Sequence, residues 1–219
     1  MREAITLDFV SDVVCPWCAI GLCGLLEAIQ RVDGEIDVEL RIKPFELNAD
    51  MPAEGEDLVE HLQRKYGSSA EDIASNHKRI RDFGEEVGFH FDLHKRQRIY
   101  NTFDAHRLLH WAAEQGRDLA LKQALLHAYF GEGRNISDSE ELLDLATSVG
   151  LDPVRTREIL DSDAYASEVI EEEEFFTSHG IRAVPAVIIN GRQLISGAQS
   201  ADYYEKALRQ VAEKSEPMP

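Results

Sequence analysis

One stretch constrains this chain more than any other. Cys15-Pro16-Trp17-Cys18 lies between an apolar run that alternates, Ala4-Ile5-Thr6-Leu7-Asp8-Phe9-Val10, and an apolar run from Ala19 to Ile29. Alternation with period two predicts a strand over 4–10. The run after the motif predicts a helix over 16–32, closed by the stop signal Asp33-Gly34. Cys15 therefore stands at a helix N-terminus, where partnerless backbone N–H groups and the positive end of the helix dipole favour an anion. Pro16 suits the first helical turn, since its missing N–H is an orphan there anyway.

That arrangement points to sulfur chemistry. Cysteines in C-x-x-C pairs have thiol pKa values lowered to roughly 3.5–7.5. Cys15 is the expected attacking thiol and Cys18 the thiol that resolves the mixed disulfide. Pro16 and Trp17 tune the pair, and Trp17 is expected at the exposed tip of the first turn, facing substrate. Neither is basic, so the depression at Cys15 is expected mostly from backbone N–H groups and the helix end. Ser11 and Asp12 fit a helix cap.

A zinc half-site is the competing reading, but structural zinc normally takes four ligands. Cys23 is too close to form a second pair, and His61, His77, His90 and His94 show no finger spacing. His106 and His110 lie four apart, yet Arg107, Leu108 and Leu109 stand between them where H-E-x-x-H needs a glutamate. No metal is expected. On a helix, Cys23 falls away from the face of Cys18 and reads as a small buried hydrophobe.

The second half of the pattern is Gly180-Ile181-Arg182-Ala183-Val184-Pro185, leading into the apolar strand Ala186–Ile189 and the turn Asn190-Gly191. Pro185 reads as strand punctuation. Its other reading is a cis-proline loop facing the redox pair, with the backbone of Val184 free to pair with an extended substrate.

Strand–CPWC–helix, a long intervening segment and Gly-Ile-x-x-Val-Pro before a strand together resemble the DsbA branch of the thioredoxin-like oxidoreductases. The blocks beginning at Asp12, Asn101, Tyr129 and Ser196 narrow the resemblance to FrnE-like proteins, from about Ile5 to Leu208. The resemblance implies a thioredoxin-like fold split by a helical domain and dithiol–disulfide oxidoreductase or isomerase activity. It also implies that Asn101 and His106 line the groove opposite the CPWC turn. His106 would move protons there if close enough; its plainer reading is a helix-surface histidine. Ala19 departs from the family, whose members carry an aromatic residue after the second cysteine.

Composition narrows the partners. Among 219 residues, 41 acidic and 23 basic side chains leave a net charge of −18. Nucleic-acid binders need basic surfaces to displace counterions, so nucleic acid is not an expected partner, nor is an anionic membrane. Acidic proteins would be repelled and basic partners favoured. No apolar run approaches the ~20 residues of a membrane helix, and the first residues lack the pattern of a secretory signal. The expected compartment is the cytosol, where glutathione keeps thiols reduced.

The remaining chain divides by pattern. Residues 36–42 alternate and predict a second strand, parallel to the first. From about Asp57 to about His179 the spacing is helical, with no convincing strand and an irregular stretch at 88–93. Helices are expected over about 102–114, 119–130, 138–149, from Pro153, and over 163–179. Ser137 is the expected cap of the third of these, with Glu140 completing a capping box. Strands at 186–189 and 193–196 form a hairpin, a last helix covers about 201–213, and 215–219 is expected to fray. The fold class is thus α/β: β-α-β at 1–50 and β-β-α at 180–219 make one discontinuous domain, interrupted by an all-helical insertion at 51–179.

Three functions follow. The first is dithiol–disulfide exchange on protein or small-molecule disulfides, with no bound cofactor and with glutathione open as a co-substrate. The second is a glutathione-dependent transferase or isomerase, since kappa-class glutathione transferases and hydroxychromene-carboxylate isomerases look related. In those a serine commonly stands at the place of Cys15, so two cysteines favour exchange. The third, a non-catalytic binding module, leaves CPWC without a role. The pattern accommodates a monomer or a homodimer.

Overall fold

A computed structural model describes residues 4–52 and 54–215 of the chain. A four-stranded sheet forms the frame. β1 (Ile5–Ser11) leads through Cys15 into α1 (Pro16–Arg31), and β2 (Val38–Pro44) returns parallel to β1. Residue pairing runs from Ile5 opposite Val38 to Ser11 opposite Pro44. That register places β2 two residues later than alternation alone suggested, and Pro44 falls at the last pair of the ladder.

Between β2 and β5 the chain is mainly helical. β3 (Glu56–Asp57) precedes α2 (Leu58–Tyr66) and α3 (Ala70–Glu86); β4 (Arg98–Ile99) precedes α4 (Phe103–Glu114) and α5 (Asp118–His127). A π-helical turn follows at Ala128–Glu132, then α6 (Ser139–Ser148), α7 (Pro153–Leu160) and α8 (Ala166–Ser178). The small β3–β4 ladder corrects the expectation of no strand here. Each strand has two residues, too few for periodicity to register, and their pairing is non-local. The expected helix over 119–130 is broken because its end widens into the π turn. Residues 88–93 are irregular as expected, but Phe91 is buried, with its ring 4.6 Å from Phe89 and 5.2 Å from Phe130.

The cap at α6 also differs. Asp138, not Ser137, accepts the N–H groups of Glu140 and Glu141, and Glu140 falls at the second helical position. Asp152 caps α7 with Pro153 at its first turn, as the sequence suggests. A capping box between Ser69 and Asp72 starts α3.

After α8 the chain returns to the sheet. β5 (Ala186–Ile189) pairs antiparallel with β1, and β6 (Gln193–Ser196) pairs antiparallel with β5, for the order β2-β1-β5-β6. Asn190 and Gly191 both take positive φ, 50° and 63°, in the three-residue loop 190–192 that joins the two strands. α9 (Ala201–Ser215) packs on α1. Gly24 allows that approach: a Cβ there would stand 2.7 Å from the Gln199 carbonyl oxygen. The tail expected to fray lies, from residue 216, outside the described residues.

One continuous apolar core runs through the frame and the helical segment. Leu7, Phe9 and Leu25 belong to the same buried cluster as Leu108, Leu125 and Phe130. This burial fixes α4 and α5 against the sheet and holds their polar side chains beneath the start of α1.

Candidate active site

Cys15 is the cap residue of α1, with extended backbone (φ −93°, ψ 113°), and Pro16 occupies the first turn. The Cys15 carbonyl accepts the N–H of Cys18 at 3.0 Å and of Ala19 at 3.4 Å, which sets both sulfurs on one turn. Both are free thiols, Cys15 3% exposed and Cys18 wholly buried. Across the groove the Val184–Pro185 bond is cis, and the Cys15 thiol points at the Val184 carbonyl oxygen at 3.7 Å. The fold thus brings Val184 and Pro185 to the redox pair from the far end of the sequence.

The two sulfurs are pulled in opposite directions. A hydrogen bond from the Cys18 thiol lowers the Cys15 pKa, aided by the N–H groups of Cys18 and Trp17 and opposed by burial and the charge of Asp12. Burial pushes Cys18 well up, helped by its hydrogen bond to Cys15 and the Cys15 charge. The leading influence on Cys15 is therefore its partner thiol, not the helix end alone. The lower-pKa sulfur is the one at the groove, and the protonated one lies behind it.

Beneath the pair is a buried polar group that the sequence reading missed. Asp12 does not cap α1, and neither does Ser11; the helix has no side-chain cap. Both are 0% exposed. The Asp12 carboxylate accepts the Leu47 N–H at 2.8 Å and the Val14 N–H at 3.4 Å, tying the loop after β2 to the loop before α1. It also faces His106 Nε2 at 3.5 Å. His106 is buried on α4, not a surface histidine.

Lys122 of α5 completes the group, 0% exposed, donating from Nζ to the Ser11 carbonyl at 3.4 Å. Burial would raise Asp12, but His106, the Leu47 N–H and Lys122 together hold it below the ordinary carboxylate range. Burial lowers both His106 and Lys122, against the pull of Asp12, and for Lys122 also against both thiols. A signal for Lys122 did exist: it stands among Leu119, Leu121, Leu125 and Leu126 on a largely apolar stretch.

Two further carboxyls sense Asp12. Burial first, then the charges of Glu173 and Asp12, raise Glu46 to about 8. Burial and Asp12 raise Glu173 to about 7.

The groove wall comes from the helical segment. Trp17 is half-buried rather than exposed at a tip, its ring edge-on to Phe83 of α3 at 5.6 Å, with the Arg79 guanidinium over its face at 5.6 Å. Tyr66, at the end of α2, is exposed, and its phenol is pushed up by burial and by the Cys15 charge. Neither Phe83 nor Tyr66 was singled out by sequence, because only tertiary packing brings them here.

Asn101 spends its carboxamide locally, donating to the Met51 carbonyl at 3.1 Å and accepting the Phe103 N–H at 2.9 Å. His110 turns to Glu172 at 3.8 Å, away from the partner of His106. Cys23 is half-buried, with its thiol raised by burial. Among the described residues no group of three or more His, Cys, Asp or Glu side chains is placed to hold a metal ion. No helix among them is long and apolar enough to cross a membrane.

A dithiol at the start of the first helix, under the Val184 carbonyl of a cis Val–Pro bond and beside a β2-β1-β5-β6 sheet, defines a thiol–disulfide oxidoreductase of thioredoxin-like fold. Comparison with known proteins agrees: the chain belongs to the family of the DSBA-like thioredoxin domain, matched over residues 6–209. It is similar to a probable DsbA oxidoreductase of Streptomyces coelicolor, 31% identical, with a TM-score of 0.89 over 98% of this chain and 93% of that one. It is 29% identical over 211 residues to the uncharacterised protein YwbO of Bacillus subtilis (strain 168), covering 96% of this chain and 98% of that relative. It shares its fold with the cytosolic disulfide reductase DsbM of Pseudomonas aeruginosa, solved with GSH, at 18% identity and a TM-score of 0.64 over 95% and 98% of the two chains.

Proposed function

We propose that Cys15 and Cys18 carry out dithiol–disulfide exchange, as reductant, oxidant or isomerase, on protein or small-molecule disulfides without a bound cofactor. The Cys15 thiolate attacks one sulfur of the substrate, the S–S bond breaks, and the first substrate thiolate leaves. Cys18 then gives up its proton, attacks Cys15 Sγ and expels the second thiolate. The protein loses two electrons and holds a Cys15–Cys18 disulfide; the substrate gains them as two thiols. Run in reverse, the same steps oxidise a dithiol.

The observation that carries this reading is two free thiols on one helical turn with the Cys15 sulfur 3.7 Å from the carbonyl of the cis Val184–Pro185 bond, and the lowered Cys15 and raised Cys18 agree with it. Val184 supports it as the backbone position that aligns an extended substrate, and Pro185 holds that loop over Cys15. Lys122 favours ionisation of Cys18 in the resolving step. His106 faces Asp12 at 3.5 Å in the buried group beneath the pair. Pro16 and Trp17 shape access. Asn101 acts by holding the start of α4.

We read the chain as a cytosolic, FrnE-like member, with residues 51–179 as the helical insertion that walls the groove. Glutathione fits as a co-substrate, in keeping with the DsbM structure solved with it. Replacing Cys15 with Ser is expected to abolish disulfide turnover, and replacing Cys18 with Ser to trap mixed disulfides detectable by mass. Turnover at the parent rate in the Cys15→Ser protein would overturn the mechanism. A stable glutathione adduct on Cys15 of the parent protein, with no internal disulfide formed, would shift the assignment to a glutathione-dependent transferase or isomerase.

A further inference from the structure

We infer that Arg79 makes this enzyme selective for small disulfides that carry a carboxylate near the sulfur. The inference rests on the exchange reading above and names its substrate class. Three observations carry it. First, Arg79 is an exposed cation held over the ring of Trp17, the residue between the two redox cysteines. Trp17 is in turn fixed edge-on by Phe83, one helical turn along α3 from Arg79. The guanidinium is therefore held by ring contacts against the residue between the two thiols and keeps its planar fork of donors, the geometry that binds a carboxylate with two hydrogen bonds.

Second, no carboxylate among the described residues pairs with Arg79. On the same helix Lys78 is paired with Asp82, and elsewhere Arg31, Arg41, Arg64, Arg134 and Arg209 are each paired. Arg81, Arg96, Arg98, Arg117, Arg182 and Arg192 also lack a carboxylate partner among the described residues; Arg79 is the one of them held over the ring of Trp17. Arg182 adds a second exposed cation two residues before Val184, whose carbonyl faces the Cys15 sulfur.

Third, the charge of the whole chain restricts what this local cation can recruit. A net charge of −18 repels an acidic protein over its full approach. Screening beyond about 8–10 Å lets a small anion respond mainly to the charge nearest the thiol. A compact carboxylate-bearing disulfide is the ligand that satisfies both conditions.

The step is the exchange already written. Cys15 sulfur bonds to one half of R–S–S–R while R–S⁻ leaves, and Cys18 then releases the second R–S⁻. Arg79 forms no covalent bond; it holds a carboxylate of R during the first attack.

The test uses three disulfides with the same two-carbon arm on each sulfur: 3,3′-dithiodipropionate (two carboxylates), hydroxyethyl disulfide (neutral) and cystamine (two ammonium groups). Second-order rates of oxidation of the reduced full-length protein are measured for each and divided by the rate of a simple dithiol with the same disulfide. The parent is expected to favour dithiodipropionate over hydroxyethyl disulfide, and Arg79→Gln to lower that ratio about two- to five-fold, the size of an exposed ion pair. Added salt should shrink the preference in the parent and leave little to shrink in Arg79→Gln.

Arg81→Gln removes the same charge from the same helix two residues away, on another face, and is expected to leave the ratio within experimental error of the parent. The inference is overturned if Arg79→Gln keeps the parent ratio, if all three disulfides slow equally, or if Arg81→Gln lowers the ratio as much. If the parent oxidises with none of the three faster than the reference dithiol allows, the exchange reading fails instead.

Discussion

Lys122 offers the sharpest test of how the buried polar group works. Lys122 and Asp12 are both 0% exposed, and Lys122 Nζ lies 3.4 Å from the carbonyl of Ser11, the residue before Asp12. The charge of Lys122 is one of the influences that hold the Asp12 carboxyl low. Lys122→Met keeps the stem and removes the charge. Asp12 is then a buried carboxylate left with hydrogen bonds from Leu47 and Val14 and the facing His106 but without the lysine charge, and uncovering a buried ion from one side costs about 3–5 kcal/mol.

The expected loss at pH 7 is therefore about 3 kcal/mol in urea denaturation under reducing conditions. Asp12→Asn is expected to destabilise as well. The Asp12→Asn/Lys122→Met double variant should recover about 2–3 kcal/mol of the summed losses. The sign with pH follows from the lowered Asp12 carboxyl. Its contribution is present above the unfolded carboxylate value and lost as pH falls through the folded value, so the penalty of Lys122→Met should shrink in acid. Lys122 also favours the thiolate of Cys18, so the alkylation profile of the dithiol should move to higher pH in the variant. A coupling below about 0.5 kcal/mol together with an unmoved alkylation profile would refute the charge argument.

Three other expectations are as direct. Cys15→Ser should lose turnover and Cys18→Ser accumulate mixed disulfides, read by mass. Glu46, raised to about 8, holds a proton in the folded chain that the unfolded chain releases above about 4.5; stability from this group is therefore complete in acid and lost as pH rises through about 8. Glu46→Gln should raise the urea midpoint relative to the parent at pH 8 more than at pH 5, and equal effects at both would contradict this. Gly24→Ala gains about 1 kcal/mol of helix propensity but drives a Cβ to 2.7 Å from the Gln199 carbonyl, a clash with backbone that costs about 1–3 kcal/mol. A net loss is expected by urea denaturation, larger than for Gly21→Ala, whose nearest neighbour is the Pro185 ring edge at 3.0 Å; a Gly24→Ala protein as stable as the parent would refute the close approach.

Much of the frame was legible in the residues because its signals are local. Alternation marked β1, β2 and the β5–β6 hairpin; Pro16 marked the start of α1, and Asp152-Pro153 that of α7. Cys15 and Cys18 stood out for the same reason, since a strand-to-helix junction is written in consecutive residues. Pro185 was also visible, because a proline opening an apolar strand has few explanations, and pairing it with the CPWC turn placed it opposite Cys15.

What only the tertiary structure decided is non-local or too short for a period. The two-residue strands β3 and β4 exist by pairing with each other across the helical segment. Asp138 rather than Ser137 caps α6 because the chain enters that helix one residue later than the capping-box pattern suggests. The character of the site lay furthest from view. Asp12 is close to Cys15 in sequence, yet its partners are Leu47 from the loop after β2, His106 from α4 and Lys122 from α5. A carboxylate beside a helix start reads as a cap until the packing of α4 and α5 against the sheet removes water and surrounds it with these groups. Arg79 and Phe83 likewise become part of the redox site only because α3 packs on Trp17. Sequence by itself determined that two sulfurs on one turn could exchange; tertiary packing, which depends on every element at once, buried Cys18 so that it is raised, set its hydrogen bond to the lowered Cys15, and chose which charges stand around the pair.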